Sequence, residues 1–368
     1  MQTSNIDSNL SAGAQTVPEP TPHPWILSPI LDYLFCCGGM MWILAGIEQL
    51  GVKPGEQTYP SIILGGVLFW GSLLLSEAHG PATLVRVFKS KTTPMTVRVA
   101  VIAWAMALII FSLYALQSEP LAQLFTKITL VWLVQHYIAQ TFGVVLIYCM
   151  KRNFVLSKIE RAVVQWLLRS LMFFVILRMF TVPAYGHLKN FLGMEIPFYG
   201  PLPFWPMYTA AFVLTLCCLA FVFLIVARYL RTKQIFPLPA LVTIFSVAAL
   251  TLSQRDAFFL LGVTFYHASQ YLAVTYSYFL KEEAQKEGRP ITGSHLKEFL
   301  QGRSLGYIVV LVAAGFMLSI GLPQGMIRNG VTENICLCVL YSMSNCHHFL
   351  TDAFVWRIRK KEVRELLV

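Results

Sequence analysis

Residues 332–359 read TENICLCVLYSMSNCHHFLTDAFVWRIR. The run is mostly apolar and long enough to cross a bilayer, which takes about 20 residues in a helix rising about 1.5 Å per residue. Well inside its ends stand His347, His348 and Asp352. Ionisable groups at that depth are costly and persist where they face a bundle interior or line a site. Three other apolar runs carry the same oddity: His79 in SEAHGPA, His136 in VQHYIAQTFG and His267 in FYHASQYL.

The composition sets the frame for these four runs. Of 368 residues 56% are hydrophobic and 12% charged, with a mean hydropathy of +0.63. A soluble domain carries about 25% charged residues. The apolar runs do not alternate as barrel strands do, so the fold class expected is all-α: a polytopic transmembrane helical bundle. A net charge of +10 invites nucleic acid as a partner, but the basic residues sit at the ends of apolar runs, where membrane topology places them. The eight cysteines form no CxxC pair, and most lie in apolar runs, as small buried hydrophobes do. Residues 1–28 are polar and rich in Pro, Ser and Thr, a flexible cytoplasmic tail without the basic-then-apolar pattern of a signal peptide.

Ten apolar runs follow, at about 30–48, 61–84, 99–116, 124–148, 159–180, 206–230, 236–253, 258–280, 305–322 and 331–356. Segments after the even-numbered runs are basic, for example Arg86, Lys89 and Lys91, then Lys151 and Arg152, then Arg357, Arg359, Lys360 and Lys361. The positive-inside rule then gives ten spans with both termini cytoplasmic, in an inner (plasma) membrane of bacterial type. The bundle is expected over 29–357. Residues 182–206, broken by Pro and Gly and holding His187, are expected to lie against the outer mouth without crossing. Residues 358–368 are expected to form a basic amphipathic helix along the inner leaflet. His23 and His295 fall in polar segments and read as solvent-exposed.

This topology makes runs two, four, eight and ten parallel. Measured back from the basic ends, their histidines lie roughly 10 to 22 Å deep at 1.5 Å per residue. Four imidazoles at overlapping depth can face one centre, which is how bundle metal sites are built. Imidazole suits iron, zinc and copper. Neighbours on a helix point about 100° apart, so one of His347 and His348 is expected to face the centre. Asp352 stands one turn beyond His348, Gln140 one turn beyond His136, and Gln270 and Tyr271 about one turn beyond His267. Asp352, Gln140 and Gln270 are candidates to orient imidazoles. Tyr271 is a candidate catalytic group. Glu77, two residues before His79, points elsewhere on its helix and is a candidate acid or proton-path group.

The order and form of these motifs resemble the Brp/Blh family of bacterial and archaeal membrane carotene dioxygenases. The resemblance rests on His79-Gly80, His136 with Gly143, His267, and His347 with Asp352 and Arg357. It implies an integral membrane enzyme that uses Fe(II) and dioxygen on an apolar, carotenoid- or lipid-like substrate entering from the bilayer. The chain departs from the pattern in having about two more helices, Tyr271 where the family has a second histidine, and Ala78 where it has a proline. Two other readings stand beside the oxygenase: a haem-binding or electron-transfer membrane protein with two axial histidines, and a proton-coupled transporter using Glu77, the histidines and Asp352.

Overall fold

A computed structural model describes residues 24–49, 59–182, 187–197, 202–252, 262–288, 302–356 and 361–367. The tail before residue 24 with His23, the segment around His295, and the basic Arg357, Arg359 and Lys360 lie outside the described residues.

Each of the ten apolar runs contains helix. In chain order these are α1 (Pro29–Cys36) with α2 (Gly39–Gln49), α3 (Tyr59–Lys89), α4 (Met95–Ala115), α5 (Glu119–Lys151), α6 (Lys158–Thr181), α7 (Trp205–Thr232), α8 (Leu238–Leu252) and α9 (Val263–Lys286). Then come α10 (Gly302–Phe316, continued through a π turn at Met317–Gly321 into Leu322–Arg328), α11 (Glu333–Val355) and a short α12 (Lys361–Leu367). Among the described residues the β structure is one antiparallel hairpin, β1 (His187–Phe191) and β2 (Met194–Pro197).

By length and composition, five helices qualify as membrane spans: α4, α5, α6, α7 and α10. A sixth is added if α1 and α2, bent by 61°, make one broken span. The ten-span expectation is therefore not carried by hydropathy alone. Three helices that are not among the five, α3, α9 and α11, are those bearing His79, His267 and His348. In α9 and α11 the runs of His, Gln, Ser, Thr and Tyr that build the site lower the apolarity.

Short links reverse the chain between α3 and α4 and between α4 and α5, so α3 and α5 run the same way. Side-chain contacts give the direction of the others. His79 lies beside His267, and further along Ser90 Oγ donates to Glu282. Tyr137 meets Thr264, and Gln140 reaches the His267 carbonyl and Gln270. Thr83 meets His348, and Val87 packs with Val355. Contacts advance together along all four chains, so α3, α5, α9 and α11 are parallel.

The break between α1 and α2 helps to seat α9. Interrupting the helix leaves carbonyls without partners in their own segment. Those of Phe35 and Cys36 accept from Ser269 Oγ (3.1 Å) and Gln270 Nε2 (2.8 Å), and that of Cys37 accepts from Ser246 Oγ (2.7 Å). The chain turns there at Gly38, whose φ is +87° and where a Cβ would lie 2.8 Å from Ser246. Asp32, fully buried, takes the backbone N–H groups of Ile26 and Leu27 and the hydroxyl of Tyr148, tying the segment before α1 to α5.

The hairpin packs on the starting end of α11 and on α5. Phe191 lies against Tyr341, Cys338 Sγ donates to the Phe191 carbonyl, and Met194 and Ile196 are buried. It closes the bundle end where α11 begins. At the opposite end, α12 docks on α9 and buries Val363, Leu366 and Leu367 in the main core, leaving Lys361, Arg364 and Glu365 exposed. The apolar face expected against lipid is thus covered by protein.

Candidate metal centre

Each of the four parallel helices places one histidine at a common centre. Taken round the ring, the imidazole centroids are 4.4 Å apart for His79 and His348, 4.9 Å for His348 and His136, 4.8 Å for His136 and His267, and 5.3 Å for His267 and His79. Across the ring, His267 and His348 are 6.2 Å apart. All four are buried.

Their nitrogens have few protein partners. His79 Nδ1 bonds the carbonyl of Ser76 within its own helix, which makes Nδ1 the protonated nitrogen and leaves Nε2 with a bare lone pair. Among the described residues neither ring nitrogen of His267 has a hydrogen-bond partner, although the residue is 3% exposed. His136 Nε2 and His348 Nε2 face each other at 3.1 Å.

A polar network lies behind His348. Thr83 Oγ1 is 2.8 Å from His348 Nδ1, 2.6 Å from the Tyr271 hydroxyl and 3.1 Å from Asp352 Oδ1. The Tyr271 hydroxyl is 2.8 Å from Asp352 Oδ1 and accepts from Trp356 Nε1 at 3.0 Å. The network holds the Nδ1 edge of His348, which turns Nε2 the other way. His348 Nε2 points at His136 Nε2 and at Asp352 Oδ2, 3.4 Å away. Asp352 Oδ2 also lies 3.8 Å from His136 Nε2.

Ring nitrogens of four imidazoles and a carboxylate oxygen therefore converge in a buried interior. An unpaired buried polar group costs several kcal/mol, on the order of 2–7. A bound cation would remove that cost for His267. The donor atoms of His79, His267 and His348 lie within 4.8 Å of one another, as do those of His136, His348 and Asp352. Two nitrogens bound on opposite sides of one metal stand about 4.2 Å apart at the usual metal–nitrogen length of about 2.1 Å. The residues fit a metal with small ring rotations.

The other sequence candidates fall outside this centre. His347 turns away, its Nε2 facing the Val101 carbonyl of α4 at 3.4 Å. Glu77 accepts from Ser319 of α10 and takes no part in the cluster. Gln140 and Gln270 touch no imidazole nitrogen. They bond each other at 2.9 Å, and Gln140 also donates to the His267 carbonyl, so they clamp the backbone of α9 to α5. Asp352, expected only to orient an imidazole, also offers an oxygen to the centre itself.

Sequence reasoning missed Thr83 and Trp356. Thr83 had a signal, because it stands four residues after His79 and so on the same helix face. Threonine is unremarkable in an apolar helix, however, and Trp356 sat at the edge of its run.

A cavity of about 330 Å³ opens beside the cluster, between α5, α9, α11 and α12. His136, Asp352 and Tyr271 share its wall with Trp132, Phe349 and Trp356. A reacting molecule there would meet the Tyr271 hydroxyl and one edge of the histidine centre together. Searches of this chain against protein-family models, curated proteins and solved structures find no match.

Proposed function

We propose that this chain is an integral membrane oxygenase that holds one non-haem iron(II) on His79, His136, His267 and His348 and acts on an apolar substrate. The observation that carries the reading is the convergence of bare imidazole nitrogens beside a mostly apolar cavity, with His267 orphaned on both ring atoms. Iron bound there would supply the redox chemistry with dioxygen that imidazole and carboxylate side chains lack. Carotenoid- or lipid-like substrates follow from the motif resemblance to the Brp/Blh enzymes and from the cavity wall.

The chain's own residues divide the remaining tasks. The Ser76 carbonyl fixes the tautomer of His79, and Thr83 holds the Nδ1 edge of His348, so that Nε2 of each ring is turned toward the centre. Asp352 supplies negative charge beside that centre and accepts from Tyr271 and Thr83. Tyr271 holds a proton at the cavity wall. Trp132, Phe349 and Trp356 keep water from the approach. The topology that goes with this reading is ten spans with both termini cytoplasmic in a bacterial inner membrane, in which α3, α9 and α11 cross by pairing their polar groups with one another.

The haem reading has no slot to occupy, since the four rings pack directly on one another. The transporter reading loses Glu77, which is turned toward α10. Metal analysis of purified protein tests the proposal, together with oxygen uptake on addition of membrane lipid extract. The expected result is one iron per chain, absent in His267→Ala. Stoichiometric zinc, or metal content unchanged in that variant, would overturn it.

A further inference from the structure

The cavity is long. Along α5 its wall runs from Trp132 to Ile147, fifteen residues, or roughly 22 Å at 1.5 Å per residue. The α5 residues that line it recur every three or four positions, so one face of the helix forms the wall over that whole length. An extended chain lying along α5 matches that shape.

Polarity changes along the same axis. His136 and Asp352 lie in the half toward Trp132, and Gln140 and Tyr271 near the middle. Beyond them the wall is Val144 and Ile147 of α5 and Val274 of α9, and Leu367 of α12 also contributes there. Leu367 is 4% exposed and belongs to the main core. From His136 to Ile147 is roughly 16 Å. That is about a dozen bonds of an extended chain, which advances about 1.3 Å per bond.

We infer that the site takes an extended apolar chain lying along α5, with the reacting position beside His136 and Tyr271 and the tail running toward Ile147. Leu367 and Ile147 close the far end and set the length of tail accepted. The inference rests on the proposed role of the histidines only for where reaction occurs. The length rule depends on the cavity alone.

The test uses metal-depleted protein in nanodiscs and a ladder of bromine-labelled primary alcohols from decanol to eicosanol, with brominated cholesterol as the fused-ring probe. Binding is read as quenching of Trp132 and Trp356 fluorescence, the background being set by a variant with both changed to Phe. Quenching is expected to peak at one chain length and to be weak for the sterol. Leu367→Ala should move the peak longer by about two carbons, because a large-to-small change leaves space that the surroundings fill only partly. Leu367→Trp should move it shorter. Ile147→Ala gives the same lengthening from within α5 and does not depend on α12 docking. An unmoved peak in both shortened variants, or sterol binding equal to the best alcohol, overturns the inference. Metal content of the same variants before depletion separates the two ideas. Iron retained with no length preference sinks the inference alone. A length preference in a protein that never holds iron sinks the oxygenase reading and leaves the chain site standing.

Discussion

Helices α7 and α9 are near opposites. In α7 only 6% of the apolar window is buried within the protein, and residues such as Phe223, 74% exposed, face outward. In α9 almost every residue from Val263 to Leu280 is buried, including His267, Gln270 and Tyr271. Yet α7 qualifies as a span by hydropathy and α9 does not. Hydropathy reports what a helix shows to lipid. A helix shielded by its neighbours is free to be polar, provided its groups find partners among themselves. The polar side chains of α9 do so through Cys36, Gln140, Thr83 and Asp352. Among the described residues His267 has no hydrogen-bond partner on either ring nitrogen, and it sits among the other three imidazoles.

The sharpest way to break this contrast lies within one helix. His348→Ala should lower metal affinity by at least about 100-fold, more than loss of an orienting group typically costs. The adjacent His347→Ala should leave metal content within about twofold. Equal losses from the two, read by elemental analysis, would mean that the helix presents a different face.

The lipid-facing side is probed by Phe223→Asp. A carboxylate at the middle of a lipid-exposed helix costs about 3 kcal/mol of insertion free energy. Membrane-inserted yield should fall sharply while the protein that does insert keeps its metal. Normal insertion would place α7 in a protein interface or an aqueous channel.

Asp352→Asn keeps the shape and removes the charge. Metal affinity should drop by about 10- to 100-fold. Thr83→Val should fall at the low end of that range, because it cuts the link between His348 Nδ1 and Asp352 without touching the centre. A Thr83→Val effect larger than that of Asp352→Asn would reverse the assigned roles.

The smallest effect concerns the contact behind His79. A Cβ on Gly315 would lie 2.4 Å from the Glu77 carbonyl oxygen and 3.0 Å from the Ala78 nitrogen, so α10 rests directly on the backbone of α3. Pro81, four residues on, supplies no N–H to that carbonyl. Gly315→Ala should cost about 1–3 kcal/mol in stability, as overpacking does. Gly306→Ala, where nothing lies within 4 Å, should cost nothing measurable in a thermal melt.

Much of this was legible in the chain itself. An imidazole is conspicuous in an apolar run, so the four helices that bring histidines together could be picked out. The basic segments implied that those helices are parallel, and the contacts between them agree. The choice between His347 and His348 was not legible, because it depends on where α4 packs. Nor was the share taken by Asp352, whose two oxygens do different things 3.1 Å from Thr83 and 3.4 Å from His348. Residues 182–206 read as too broken for a spanning helix, and the hairpin at 187–197 within them was not legible, because it depends on landing against Tyr341 and Cys338. The apolar face of α12 was visible from its sequence. Its partner was not, because amphipathicity does not distinguish a lipid surface from the side of α9.

If the four histidines hold metal as proposed, their order in the chain also imposes a schedule on biosynthesis. His79, His136 and His267 are made with α3, α5 and α9, and His348 follows on α11, 81 residues after His267. Until α11 is made, the growing protein carries three imidazoles without His348 or the carboxylate of Asp352. Tight metal capture would then wait for the closing stages of assembly, and a chain stalled before α11 would be a weak binder, distinguishable from the finished protein by its metal content.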